Sequence, residues 1–292
     1  MILKNLNIAG KNFLITGGNG MLASDISRYL KALGCNVIDD FFDITVPVLW
    51  EQILKVNKID FIIHTAALTN VDYCESNRKE CYRVNYDFIK KVIPLLKEEK
   101  FVYFSSTGVY GNSSNNFFNN EDDPTLPSTK YHLSKLKTEN YLQLNYGNYL
   151  ILRLGWLYGG NVKHKKNFVD KILREASQKD IIYSDEYILG SPTSTLDVSK
   201  QLNFLLEKNI TGIFNCVNTS DNPISRLDYV RHILNTLKLK NQIIPAPINY
   251  FKRLANIPKN ESALNLNLNK LNLNIMNNWE SALSKYIIDN YG

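Results

Sequence analysis

The sequence has few cysteines, no long apolar run and no concentrated charge, and each scarcity removes a class of function. Four cysteines (Cys35, Cys74, Cys81, Cys216) are scattered through 292 residues without a CxxC pair. That spacing supports neither a disulfide framework nor a zinc site, so reduced thiols and no metal are expected. The longest apolar stretches, such as Asp60-Phe61-Ile62-Ile63-His64 and Tyr149-Leu150-Ile151-Leu152, are strand-sized. A membrane span needs roughly 20 apolar residues, so no membrane association is expected. Met1-Ile2-Leu3-Lys4-Asn5 lacks the long apolar region and small-residue cleavage site of a signal peptide, which points to the cytoplasm. The formal charge of +6 is dispersed apart from Lys163-His164-Lys165-Lys166, with no basic stripe interleaved with aromatics. A small anionic ligand therefore fits better than nucleic acid.

What is present is a chain 44% hydrophobic, able to bury the core of one large domain or of one with a smaller lobe added. From Asn12 to about Arg153, short apolar runs alternate with helix-length amphipathic stretches, the pattern of a parallel sheet covered on both faces. The runs predict strands near 12–16, 35–39, 60–64, 101–105 and 149–153, with helices near 20–33, 46–57, 77–98 and 129–146 between them. The expected class is α/β: a Rossmann-type, doubly wound parallel sheet over residues 1–155, then a smaller C-terminal α/β substrate-binding lobe over 156–292. Whether the chain crosses between the lobes is left open. After Arg153, turn-rich pieces such as Gly159-Gly160-Asn161 and Gly190-Ser191-Pro192-Thr193 separate helices near 166–178, 195–208 and 224–237. No repeat of 20–50 residues is evident. Leu264-Asn265-Leu266-Asn267-Leu268-Asn269 has period two, nominally that of a strand, but its monotony gives no firm structural assignment.

The apolar run Asn12-Phe13-Leu14-Ile15-Thr16 leads into Gly17-Gly18-Asn19-Gly20-Met21-Leu22-Ala23 and then a helix. Glycines at 17 and 20 let the backbone turn sharply and approach a pyrophosphate, whose charge is met by amides at the helix N-terminus. The second strand ends in Asp39 about 20 residues beyond the turn, where an acid binds ribose hydroxyls. Asp39 and Asp40 without an adjacent arginine lean towards NADH, although a plain cap at the strand end is the blander reading, and a cation from elsewhere would serve NADPH. Asp43-Ile44 follows as an adenine contact.

Tyr131 and Lys135 stand one helical turn apart, so the ammonium can lie under the phenol and favour its phenolate. Alone, the pair is a common feature of a solvated helix in a chain with 17 tyrosines. Its place behind the glycine turn and behind Tyr103-Phe104-Ser105-Ser106 gives it meaning. Reduction of a carbonyl by a nicotinamide needs an acid, a second hydrogen bond to the oxygen and a fixed ring face. Tyr131 would be the acid, Lys135 its partner and a ribose ligand, and Ser106 the second hydrogen bond. Ser105 and Thr107 are rivals of Ser106.

With these residues in place the chain resembles the extended short-chain dehydrogenase/reductase superfamily and, within it, dTDP-4-dehydrorhamnose reductases and their sugar-nucleotide relatives. Beyond the glycine turn the resemblance rests on Asp43-Ile44-Thr45, on 65–75, on Val84-Asn85, and on Ser105-Ser106-Thr107-Gly108-Val109-Tyr110-Gly111. It continues through Tyr131-His132-Leu133-Ser134-Lys135, Arg153-Leu154-Gly155-Trp156-Leu157-Tyr158-Gly159, Asn167-Phe168 and Gly190-Ser191-Pro192-Thr193. The blocks lie in family order over roughly residues 10–235, with a loose match in the tail at Arg253 to Asn256 and Asn278-Trp279.

The resemblance implies a catalytic set of Ser106, Tyr131 and Lys135. It implies NADPH or NADH held by Gly17, Asn19, Gly20, Met21, Leu22, Asp39, Asp43, Ile44, Ala66, Ala67, Thr69 and Asn85, with Asn85 supporting the active-site helix. A nucleotide-diphosphate sugar would meet Thr107, Trp156, Asn167, Ser191 and Arg253, with Lys165 or Lys166 as further cations. The family also allows a homodimer. Thr107-Gly108 departs from the Asp-Tyr of rhamnose-type reductases, from the Asp-Glu of 4,6-dehydratases and from the cysteine that bifunctional epimerase-reductases place at Gly108. Cys74 and His132 are read as packing or helix-surface residues. The implied activity is reduction of a nucleotide-activated 4-keto-6-deoxy sugar in polysaccharide biosynthesis. The alternatives are a non-catalytic subunit resembling the partner of methionine adenosyltransferase, and an epimerase or dehydratase of the same superfamily.

Overall fold

The computed structural model describes residues 6–39, 42–112, 117–160, 162, 164 and 166–292. Asp40, Lys163 and Lys165, three residues weighed above as ligands or local charge, lie outside the described residues. Five strands form where the apolar runs stand: β1 (Asn12–Thr16), β2 (Asn36–Ile38), β3 (Phe61–His64), β4 (Lys100–Ser106) and β5 (Tyr149–Leu154). A sixth, Gly212–Cys216, comes from well beyond residue 155 and pairs with β5. The sheet order is Gly212–Cys216, β5, β4, β3, β1, β2, and every pairing is parallel. The sheet therefore draws on the chain beyond residue 155, and the helix Thr195–Glu207 returns with the sixth strand to pack on helix α1 (Met21–Ala32).

Alternation along the strands fills both faces. Phe13 and Ile15 point to the side covered by Leu22, Ile26 and Leu30 of α1 and by Val198, Leu202 and Leu205. Leu14, Ile62, Phe101, Tyr103 and Ile151 point to the other side, against Trp50 of helix α2 (Pro47–Val56), Phe88 and Ile89. β2 and β3 lie on opposite sides of β1, so the order reverses there and a crevice opens at the carboxyl ends of β1 and β3, where such sheets bind their ligands. The helices near 129–146, 166–178, 195–208 and 224–237 are found at Lys130–Asn145, Phe168–Ala176, Thr195–Glu207 and Arg226–Thr236.

The single helix expected over 77–98 is broken. Arg78–Tyr82 is α-helical, Arg83–Asp87 forms a π turn, Ile89–Val92 is α-helical again and Ile93–Leu95 closes as a 3₁₀ turn at Pro94. The carbonyl of Asn85, inside the π turn, accepts the hydroxyl of Thr138 at 2.8 Å. A π turn trades helical regularity for such a contact, and Pro94 cannot continue a helix. In the tail, Leu266–Lys270 is a short helix rather than a strand. Asn265 before it hydrogen-bonds both the N–H (3.0 Å) and the carbonyl (2.8 Å) of Val217, and Glu121 accepts the amides of Leu266 and Asn267.

The second lobe packs Trp156, Tyr158, Val169, Ile172, Tyr229, Ile233, Trp279 and Leu283 into its own core, with the small parallel pairs Trp156–Tyr158 with Pro192–Ser194 and Ile181–Ser184 with Gln242–Pro245. No helix among the described residues is long and apolar enough to cross a membrane.

Candidate active site

A cleft of about 710 Å³ opens at the ends of β1, β3, β4 and β5. Its walls include Gly17, Asn19, Gly20, Met21 and Leu22 from the glycine turn, Asp43 and Ile44, then Ala66, Ala67 and Thr69 after β3, and Ser106, Tyr131 and Lys135. The glycine turn and the three expected catalytic residues thus share one surface. Gly17 has φ +73°, and a Cβ there would lie 2.9 Å from the Ala66 backbone, so only glycine lets these two segments close together. Helix α1 begins at Gly20 with no side-chain cap and no acidic residue in its first turn. Its first amides therefore have no side-chain cap and border the cleft, which suits a pyrophosphate.

Asp39 does not border the cleft. Its carboxylate accepts from Ser27 Oγ and from Lys31 Nζ at 2.9 Å. Burial works to raise its pKa, but the hydrogen bonds from Ser27 and Lys31 and the charge of Lys31 outweigh it and hold the acid below its ordinary value. With Asp39 committed to Lys31, its lean towards NADH loses its footing. Asn85 sits behind the wall as a clamp: its amide accepts from Leu68 N (2.8 Å) and donates to Leu68 O (3.0 Å) and Ser134 Oγ (3.1 Å). The loop after β3 is thereby tied to the helix that carries Tyr131.

That helix starts at an N-cap, Thr129 Oγ1 accepting from His132 N, and is locked from below by a buried ion pair. Glu139 receives Arg153 through Nη2 at 2.6 Å and Nε at 3.1 Å, and Arg153 Nη1 donates to Tyr110 Oη. Lys135 is buried, with Nζ donating to Phe104 O at 2.9 Å and lying 4.8 Å from the centre of the Tyr103 ring and 5.9 Å from that of Tyr131. Burial pushes its pKa down to about 8. Tyr131 is half-buried, and its hydroxyl makes no hydrogen bond among the described residues. Burial, with the Glu261 carboxylate adding negative charge nearby, raises the phenol above its ordinary value rather than lowering it. The phenol is therefore held as an acid with its proton on. Ser106 Oγ accepts Gly108 N at 3.2 Å and keeps its own proton free to donate. Ser105 Oγ is buried without a partner among the described residues, and Ser105 also lines the cleft, so it stays a rival.

The expected substrate residues lie outside this cleft. Asn167 caps the Phe168–Ala176 helix and donates to Tyr286 Oη at 2.6 Å, and Ser191 Oγ accepts Ala263 N at 3.2 Å. Thr107 is buried, Arg253 is exposed, and Trp156 is buried with Nε1 donating to Glu261 at 2.9 Å. Lys166 does line the cleft and donates to Thr69 Oγ1 at 2.7 Å. Sequence reasoning missed Phe42, Thr65, Leu157 and His164 in the wall. Thr65 stood inside a recognised block, whereas Phe42 and His164 had no pattern to expose them.

Comparison with known proteins agrees with this geometry. The sequence profile described as the RmlD substrate binding domain matches residues 11–291. A dTDP-4-dehydrorhamnose reductase of Aggregatibacter actinomycetemcomitans is 28% identical over 289 residues, covering 92% of this chain and 96% of that protein. The spore coat polysaccharide biosynthesis protein SpsK of Bacillus subtilis is 29% identical over 196 residues, and there the match spans 64% of this chain and 66% of the relative. Among solved structures, the dTDP-4-dehydrorhamnose reductase of Bacillus anthracis str. Ames in complex with NADP superposes with a TM-score of 0.89 at 25% identity, covering 96% of this chain and 99% of that one. Because the profile runs nearly end to end over both lobes and the cleft between the glycine turn and Tyr131, the chain belongs to the RmlD substrate binding domain family.

Proposed function

We propose that the chain is a cytoplasmic reductase that uses NADPH or NADH to reduce the C4 ketone of a nucleotide-diphosphate 4-keto-6-deoxy sugar, with the product serving a surface polysaccharide. The observation that carries this reading is the shared surface on which Ser106, Tyr131 and Lys135 meet the uncapped start of helix α1. The cofactor, when bound, supplies the hydride. Ser106 Oγ and Tyr131 Oη hold the ketone oxygen, and Tyr131 gives up its proton as negative charge builds there. Lys135 keeps a positive charge beside the phenol, so the phenolate left behind is stabilised even though the resting phenol is a weak acid. Gly17, Asn19, Gly20, Met21 and Leu22 receive the pyrophosphate, and Asp43, Ile44, Ala66, Ala67 and Thr69 line the rest of the cofactor's path.

The lobe after residue 155, apart from the Thr195–Glu207 helix and the Gly212–Cys216 strand that rejoin the sheet, carries the sugar nucleotide. The names of several relatives, among them dTDP-4-dehydrorhamnose reductases and a spore coat polysaccharide protein, support the substrate class and the end use. The test is consumption of NADPH and NADH with a panel of 4-keto sugar nucleotides, repeated with Tyr131→Phe. That variant is expected to lose about 100-fold or more in kcat, the range for one positioned general acid, with cofactor affinity nearly unchanged. Full turnover by Tyr131→Phe sinks the assignment.

A further inference from the structure

Lys166 stands in the wall of the cleft, and its Nζ donates at 2.7 Å to Thr69 Oγ1 on the loop after β3. Among the described residues it forms no ion pair, so a charge that belongs to the second lobe rests on one neutral hydroxyl of the first. An ammonium has three hydrogens to donate, and this contact uses one. Of the described residues that line the cleft, the basic ones are Lys135, His164 and Lys166. Lys135 is buried beside Tyr131 with Nζ on Phe104 O. His164 Nδ1 accepts Lys166 N at 3.3 Å, which ties those two residues together.

The chain shortly before Lys166 is fastened to a second wall of the cleft. Gly160 N donates to Asp25 Oδ2 of α1 at 2.9 Å, and a Cβ on Gly160, at φ +64°, would lie 2.8 Å from Met21 Cα. Met21 is the first residue of α1 and lines the cleft. The second lobe therefore touches the start of α1 at Gly160 and the loop after β3 at Lys166. The glycine turn, from Gly17 to Ala23, contains no basic residue. The helix end supplies only about half a positive charge, well short of the double charge of a pyrophosphate. A 2′-phosphate would lie at the end of β2, and β1 stands between β2 and β3 in the sheet. Two strand spacings, roughly 10 Å, separate that place from the loop after β3. The phosphates that suit Lys166 are those at the start of α1.

We propose that Lys166 is the cation for the pyrophosphate of the cofactor, supplied from the second lobe, a role that rests on the reading of the cleft as a dinucleotide site. The resemblance in sequence set this lysine against the sugar nucleotide. Its two tethers, to α1 through Gly160 and to the loop after β3 through Thr69, set it against the cofactor instead. Thr69 holds the ammonium at the cleft beforehand and leaves its other hydrogens for phosphate oxygens. Binding of the dinucleotide then adds a charge-assisted contact that joins the two lobes.

The experiment titrates the full chain calorimetrically with NADPH, NADH and ADP-ribose, and the NADPH-loaded chain with thymidine diphosphate. Lys166→Met is expected to weaken the first three alike by at least about 5-fold, below the full range for a hydrogen bond to a charged group because Lys166 is exposed. Thymidine diphosphate should bind the loaded variant as it binds loaded wild type, and the melting temperature without cofactor should hold. Lys166→Arg, which keeps the charge, is expected to retain most of the affinity. Added salt should weaken cofactor binding more in wild type than in Lys166→Met. Equal cofactor binding by wild type and Lys166→Met overturns the inference and leaves the reductase reading untouched. An equal loss in Lys166→Arg, or a fall in melting temperature that accounts for the loss, also overturns it. A loss confined to NADPH gives the cation to the 2′-phosphate and overturns the pyrophosphate assignment. A loss confined to thymidine diphosphate, or as large there as for the cofactors, gives it to the substrate and overturns the assignment as well. If the expected loss is found but wild type reduces no 4-keto sugar nucleotide, the reductase reading falls and the cofactor cation stands. If wild type binds none of the first three, both fall.

Discussion

Replacing Lys135 by methionine separates what this residue contributes to chemistry from what it contributes to folding. Its ammonium is buried, reaches one protein acceptor, Phe104 O at 2.9 Å, and has a pKa lowered from 10.5 to about 8 by desolvation. At about 1.4 kcal/mol per pH unit, keeping this group charged in the folded protein costs about 3 kcal/mol. The sign follows from proton counting. Below pH 8 both folded and unfolded chains carry the proton and the cost is fully present; between about 8 and 10.5 only the unfolded chain does, so folded stability rises with pH and the cost is gone above 10.5. Methionine removes the charge but leaves Phe104 O without its donor, a loss of about 1–3 kcal/mol. Near neutral pH the two effects nearly cancel, and Lys135→Met is expected to equal wild type or exceed it by up to about 2 kcal/mol. Near pH 10 the advantage is lost, the variant-minus-wild-type difference having fallen by most of about 3 kcal/mol. Urea unfolding of cofactor-free protein at the two pH values measures this difference, and other titrating groups cancel in it. A variant several kcal/mol less stable at neutral pH, or a difference that does not change with pH, refutes the account of Lys135 as a charge held at the expense of stability.

Three further outcomes follow from the same geometry. Glu139→Ala strands the buried Arg153 guanidinium, so unfolding should become easier by about 3–5 kcal/mol in urea titrations, and a loss under about 1 kcal/mol contradicts the clamp beneath the catalytic helix. Gly17→Ala places a Cβ 2.9 Å from the Ala66 backbone at φ +73°, and fluorescence titration should show NADPH bound at least about 10-fold more weakly, with ordinary affinity arguing against the close approach. Gly108→Ser should destabilise the wild-type chain yet be tolerated beside His132→Gly, with a coupling of at least about 1 kcal/mol in a double-mutant cycle; simple additivity would separate the two positions.

The sheet was legible because β1, β3, β4 and β5 are buried on both faces and read as apolar runs, and because β1 passes straight into a glycine turn. That Ser106, Tyr131 and Lys135 would meet was legible for a different reason: Ser106 ends a strand, and Tyr131 and Lys135 share a helix face, so each sits where local periodicity is strong. The sixth strand was not legible, since Gly212–Cys216 carries Asn215 in its interior, whose side chain accepts Tyr110 Oη and donates to Leu264 O. A polar residue paid for by distant partners looks like a loop in a linear reading. The break at Arg83–Asp87 was hidden in the same way, because it answers to Thr138 on another helix. Asp39 shows what a linear reading omits: its place in sequence suits a ribose ligand, and Lys31, eight residues upstream on the exposed face of α1, also reaches the carboxylate.

Gly108 and His132 show how a departure from family pattern acquires meaning only in three dimensions. A Cβ on Gly108 would lie 2.2 Å from His132 Nε2, so the imidazole fills the space that a side chain at 108 would claim. His132 is fully enclosed, with Nδ1 3.0 Å from Thr129 Oγ1 and Nε2 turned to Glu261. Nε2 faces the Glu261 carboxylate at 3.7 Å, which favours the tautomer with the ring hydrogen there and Nδ1 accepting the Thr129 hydroxyl. Burial lowers the imidazole pKa and keeps the ring neutral near pH 7. A neutral ring enclosed by protein that does not border the cleft has no proton to exchange with a sugar in it. Dehydration and 3,5-epimerisation need such a group where relatives carry Glu or Cys at the position of Gly108, and here that volume holds a histidine turned away. What the cleft retains is the smaller requirement of reduction: one acid, one further hydrogen bond and a cation beneath them.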